Sequence, residues 1–196
     1  MTRRRFLAAC AAAPLLAALP LIGRAADGPR SRVRPGEPGW PSPTRWQELR
    51  RRVGGRLMEV RSPLQTCGEP AARIACDDLF KELKNPYFVG DDVGLTQTTG
   101  WVDAWTFRPS VYAVAAETAE DVAAAVNFAR DNNLRLVVKG GGHSYLGRSN
   151  AADSLLIWTR PMNAIVLHDA FTAQGCAAPP QPAVSIGAGA IWGSGL

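Results

Sequence analysis

No apolar run in this chain reaches membrane-spanning length. The longest, residues 8–22, falls short of the ~20 residues a helix needs to cross a bilayer, so stable membrane insertion is not expected. Histidine is scarce, with two in 196 residues, and there are four cysteines. None of the cysteines forms a CxxC pair, and no histidine lies near Cys67 or Cys76. That spacing argues against a zinc site, and no metal ligands are expected. Positive charge is thin outside the N-terminal third. Residues 1–73 carry 14 arginines against 5 acidic side chains, whereas residues 74–196 carry 8 Lys+Arg against 12. The formal net charge of +5 therefore belongs to the leading segment. The remainder is slightly acidic, so nucleic acid is not an expected partner.

The length fits one domain with a tail, and an apolar content of 46% is ordinary for a folded protein. Residues 1–25 read as a targeting segment. Arg3, Arg4 and Arg5 followed by Phe6 and Leu7 match the twin-arginine export pattern of bacteria, with small residues Gly23 and Ala25 before a cleavage point. An uncleaved N-terminal anchor is the alternative. Export would place the protein in the periplasm or outside the cell, with the twin-arginine machinery as a partner. Residues 26–43 are rich in Pro and Gly and predict a linker without regular structure. Arg30, Arg32 and Arg34 read there as a solvated arm.

Residues 44–107 predict a helical and irregular region. A helix is expected over 44–52, with Thr44 as its cap, Trp46, Leu49 and Val53 on one side, and Gly54-Gly55 as its end. Residues 57–60 read as a short strand or as a continuation of the preceding segment. A second helix is expected over about 70–84, with Ala72, Ala75, Leu79 and Leu83 as apolar positions and Pro86 as its limit. Cys67 and Cys76 lie nine residues apart. An exported protein could pair them, and one that folds in a reducing compartment could leave them free. Residues 87–108, with Trp101, Trp105 and Phe107, read as irregular structure packed by aromatics.

From residue 108 the pattern becomes α/β. A strand over 111–115 leads to Thr118-Ala-Glu-Asp121, which resembles a capping box with Asp in place of Glu. The helix should run over 119–132 with Val122, Ala125, Val126 and Ala129 as its buried stripe. The next strand, 134–139, completes a βαβ unit, which implies a parallel crossover. Strands over 154–159, 164–167 and 183–186 follow, with a loose loop holding Cys176, Pro179 and Pro180. These last segments should leave a sheet edge and an apolar face uncovered.

The strand over 134–139 empties into Gly140, Gly141 and Gly142, then His143, Ser144, Tyr145, Leu146 and Gly147. Ordering three consecutive glycines is costly, and the usual return is close approach of something to the backbone. Successive N–H groups without side chains suit phosphate oxygens. A nucleoside triphosphate loop would use Gly142 and Gly147 but finds Arg148 where Lys belongs, and no helix follows. A dinucleotide fingerprint would use Gly140 and Gly142 but finds Tyr145 at its last glycine.

The segment KGGGHSYLGRSN, with GAGAIWG at 187–193, resembles the flavin loop of the vanillyl-alcohol oxidase/p-cresol methylhydroxylase superfamily. Within it the berberine-bridge-like FAD-linked oxidases are most similar. The resemblance spans roughly residues 74–193. It implies that residues 108–196 are the first part of a PCMH-type FAD-binding domain. It further implies that Gly140, Gly141, Gly142, Ser144 and Gly147 shape the pyrophosphate site. His143 would bond covalently to the methyl group on the flavin's benzenoid ring. The family's second linking cysteine comes later in the chain, and Cys176 does not match it. An FAD-linked oxidoreductase of a small molecule is implied, taking hydride from a C–H bond beside a hydroxyl, with dioxygen as a candidate acceptor. Covalent flavin also agrees with the twin-arginine signal, since that route exports proteins with their cofactors already in place. The substrate domain and the catalytic base would lie beyond Leu196, so the catalytic residue is unknown. The alternative expectation is a truncated, non-catalytic flavin-binding remnant.

Overall fold

The computed structural model describes residues 31–68, 73–96, 108–191 and 193. The signal and the expectations for Arg30, Ala72, Trp101, Trp105 and Phe107 lie outside the described residues. The fold is that of the unit Arg32–Leu196.

Helix α1, Pro43–Arg52, starts where Pro43 supplies the first helical φ and Ser42 accepts from the Arg45 N–H at 3.4 Å. The cap is thus Ser42, not Thr44, because proline at the first helical position sets the cap two residues earlier. Trp46, Leu49 and Val53 are buried as expected. Gly54 and Gly55 then take φ of +59° and +87°, which ends the helix in the left-handed region. Strand β1, Leu57–Glu59, follows. A 3-10 helix at Pro63–Gly68 is joined to α2, Arg73–Glu82, by a Cys67–Cys76 disulfide with its Cα atoms 5.5 Å apart.

The region after Lys84 is not wholly irregular. Helix α3, Pro86–Asp91, forms there, with Asn85 Oδ1 accepting from the Tyr87 and Phe88 N–H groups. Pro86 stops one helix and starts the next, since a proline N–H is not missed in a first turn.

Strand β2, Tyr112–Ala115, leads through α4, Ala119–Asp131, to β3, Arg135–Lys139. The capping box is present in full: Asp121 N–H donates to Thr118 Oγ1, and the Asp121 carboxylate accepts from the Thr118 N–H. The buried ridge of α4 is Asp121, Ala125 and Ala129, spaced by four. Val126 is 41% exposed, contrary to expectation. Asp121 turns the ridge: Arg56 grips it with Nη2–Oδ1 at 2.7 Å and Nε–Oδ2 at 3.2 Å. Burial pushes the Asp121 carboxyl up, but the Arg56 guanidinium and the Glu117 and Thr118 N–H groups outweigh it and hold it below its usual range.

Strand β4, Ser154–Trp158, inserts between β2 and β3, and the four-stranded sheet has the order β1-β2-β4-β3. The pairs β2–β4 and β4–β3 are parallel, and β1–β2 is antiparallel. Leu155 and Ile157 face α1 and α4, while Leu156 joins Val60 and Ala113 on the other face. A central strand buried on both faces reads as a continuous apolar run. Each such Leu or Ile contributes about 1.5–3 kcal/mol relative to exposure. The linker expectation also changes in part. Val33 bridges Leu134, Arg32 donates to Asn133 Oδ1 at 2.9 Å, and Arg34 lies 3.5 Å from Asp153.

Strands β5, Ile165–Phe171, and β6, Gln181–Ile186, form a separate antiparallel pair. Both are longer than expected. Their apolar side chains Val166, Leu167, Phe171, Val184 and Ile186 are exposed, as the uncovered-face expectation required. Among the described residues no helix is long and apolar enough to cross a membrane.

Candidate cofactor site

The glycine loop leaves the carboxyl end of β3 and returns to the amino end of β4. The carboxyl ends of parallel strands are where open α/β sheets commonly place ligands. Two further elements meet the loop. The turn at 187–191 lies beside Gly140: a Cβ there would come within 3.2 Å of the Ala188 carbonyl oxygen. Helix α3 lies beside Gly141: a Cβ on Gly90 would meet the Gly141 carbonyl at 3.3 Å and Ile191 Cδ1 at 3.1 Å. The two glycine-rich motifs, 47 residues apart from Gly140 to Gly187, thus form one wall system, with α3 as its third side.

Side chains from the strand ends fasten it. Thr159 N–H donates to the Lys139 carbonyl at 2.8 Å, and Thr159 Oγ1 reaches both Lys139 O and Ala188 O at 3.3 Å. Arg160 ties α3 to the turn, with Nε to Asp91 Oδ1 at 2.7 Å and Nη1 to Gly189 O at 3.0 Å. Gly187 and Gly189 leave no room for a side chain, because a Cβ would run into the carbonyls of Met162 and Thr159.

Within the loop, Gly142 has φ +76°, which only glycine adopts without strain. A Cβ there would also sit 2.9 Å from Lys139 Cε. A Cβ on Gly141 would lie 2.8 Å from the His143 ring, so the imidazole folds back over that glycine. Each side-chain direction of the triplet is therefore filled by the protein itself. What remains presentable is main chain. Among the described residues, the N–H groups of Gly140, Gly141, Gly142, His143 and Ser144 donate to no protein acceptor. That is the arrangement an anion needs. His143 is exposed at the lip. Ser144 Oγ instead accepts from the Arg148 N–H at 3.3 Å. Gly147, with φ +67°, shapes the following turn. The loop's exit is held by buried Asn150, whose Oδ1 accepts from Ser110 Oγ at 2.7 Å.

Sequence reasoning missed Lys139, Thr159, Arg160 and α3. Lys139 carried one signal: it ends an apolar strand immediately before the glycines, in register with inward-facing Val137. It is 1% exposed. Its Nζ donates to the carbonyls of Val89 at 3.1 Å, Asp92 at 2.5 Å and Leu95 at 2.6 Å. Burial pushes its titration down to about 8, against the pull of Asp92 and Asp91.

Comparison with known proteins points to a flavin cofactor. The FAD-linked oxidoreductase easE of Arthroderma otae is 30% identical over 184 residues, covering 83% of this chain and 30% of that protein. The FAD-linked oxidoreductase notD of an Aspergillus species is 33% identical over 190 residues, covering 84% and 31%. The chain thus spans 30% and 31% of the length of these two relatives. Among solved structures, the VAO-type flavoprotein MtVAO615 of Myceliophthora thermophila is similar, with a TM-score of 0.67 and 26% identity. That match covers 81% of this chain and 32% of the other. A second VAO-type flavoprotein from that organism, MtVAO713, has a TM-score of 0.64 at 25% identity, covering 78% and 30%. Residues 110–194, which contain the glycine loop and all of residues 187–193, match the FAD binding domain family, and FAD is the cofactor of this part of the chain.

Proposed function

We propose that the protein is an FAD-dependent oxidoreductase of the berberine-bridge-like kind, acting on a small molecule. The observation that carries this is that, among the described residues, the five N–H groups from Gly140 to Ser144 donate to no protein acceptor, with the His143 side chain exposed beside them. When bound, FAD supplies a two-electron acceptor for hydride from a substrate C–H bond, with dioxygen as the candidate terminal oxidant. The chain's own residues hold and orient that group. The glycine N–H donors would bind pyrophosphate oxygens, and the His143 imidazole would hold the methyl carbon of the flavin's benzenoid ring, a bond whose formation releases two protons and passes two electrons through the flavin to its acceptor. His143 is then an anchor rather than a proton-transfer catalyst. The Arg3-Arg4-Arg5 signal supports twin-arginine export to the periplasm or beyond, and a tethered cofactor would survive dilution there.

The test uses full-length protein produced with ample flavin. Acid-precipitated protein is expected to stay yellow, and His143→Ala to release its flavin on denaturation. Retention of flavin by the denatured variant would give the tether to another residue.

A further inference from the structure

The glycine loop is fastened at both ends to one short stretch of main chain. At its start, Lys139 Nζ donates to the carbonyls of Val89, Asp92 and Leu95. At its end, Asn150 Nδ2 donates to the carbonyl of Val93 at 3.1 Å. Hydrogen bonds alone do not require lysine at the first anchor. A buried ammonium costs several kcal/mol in desolvation, and an apolar side chain would fill the same space without that cost. The charge is also left uncompensated by direct pairing. Among the described residues no carboxylate forms an ion pair with Lys139. The two carboxylates whose charge reaches it are engaged elsewhere: Asp91 with Arg160, and Asp92 Oδ1 with the Gly94 N–H at 2.7 Å. The ammonium lies directly beneath the loop, 3.6 Å from where a Cβ on Gly142 would be. A buried cation beside backbone N–H groups that have no protein acceptor among the described residues adds to the field that an anion meets there, and the low-dielectric surroundings strengthen it.

We propose that Lys139 is a positioning and electrostatic residue of the cofactor site. Its fixed positive charge favours the doubly anionic pyrophosphate of FAD from beneath the loop, while its three carbonyl contacts hold α3 and the glycines in register. This rests on the reading of the loop as the FAD site. Lys139 touches no ligand; it acts through the loop it supports.

The experiment uses full-length protein carrying His143→Ala, so that flavin exchanges reversibly. Dissociation constants for FAD and for riboflavin, which lacks phosphate, are measured at pH 7 by flavin fluorescence. Lys139→Met is expected to weaken FAD about tenfold or more while changing riboflavin little, as removal of a charge a few ångströms from an anion should. Lys139→Arg is expected to restore the preference for FAD. Where Lys139→Met does not fold, Lys139→Gln keeps hydrogen-bond donors without charge and is expected to show the same selective loss. Equal weakening of both ligands, or of neither, would overturn the electrostatic role. If the parent His143→Ala protein binds neither ligand, the FAD reading itself fails, and the two failures are thereby told apart.

Discussion

Strand β4 and the β5–β6 hairpin are built from similar residues and have opposite fates. Leu155 in β4 is fully buried between two layers, whereas Leu167 in β5 is 82% exposed. Both stretches form strands, so a short apolar run suffices to make a strand here. It does not suffice to bury one. Burial of β4 comes from its central place in the sheet, with α1 and α4 on one side and Val60 and Val93 on the other. The hairpin pairs strand to strand, and among the described residues its apolar face is left exposed.

The sharpest way to break this comparison is substitution on each side of it. Leu155→Ala should cost about 2–5 kcal/mol in urea unfolding, because a cavity remains between fixed neighbours. Leu167→Ala should stay within about 0.5 kcal/mol in the same chain. Comparable losses at both sites would mean the hairpin face is covered. A smaller effect is expected at the cap of the crossover helix, where Thr118→Ala should cost about 1 kcal/mol.

The Arg56–Asp121 pair sharpens the comparison through pH. The folded carboxyl of Asp121 lies below its unfolded value, so the folded state binds fewer protons as acid is added. Its stabilisation is complete above the unfolded pKa of about 3.9 and is lost as pH falls through the folded value. Asp121→Asn should lower stability at neutral pH and flatten the acid limb below about pH 4. An unchanged limb would dismiss the pair as a source of acid sensitivity.

Much of the fold could be read from local pattern. Thr118 and Asp121 announce their helix start by spacing alone, and β4 announces itself by an unbroken apolar run. The features that could not be read are tertiary. Val126 follows the apolar period of α4, yet Asp121, captured by Arg56 from 65 residues away, rotates the buried ridge off it. Lys139 looks like a strand end turning to solvent, and only α3, itself hidden behind Pro86, shows why it is buried. The cofactor loop was readable because its glycines answer a local backbone demand. Its supports, Thr159, Arg160 and Lys139, answer contacts made across the fold and leave little local trace.

The most direct measurement is the mass of one peptide. Tryptic cleavage after Lys139 and Arg148 isolates residues 140–148, which contain His143. From full-length protein made in a flavin-replete host, that peptide should carry the mass of a flavin on its histidine. Recovery of the peptide unmodified, from a protein that binds no flavin at all, would contradict the account.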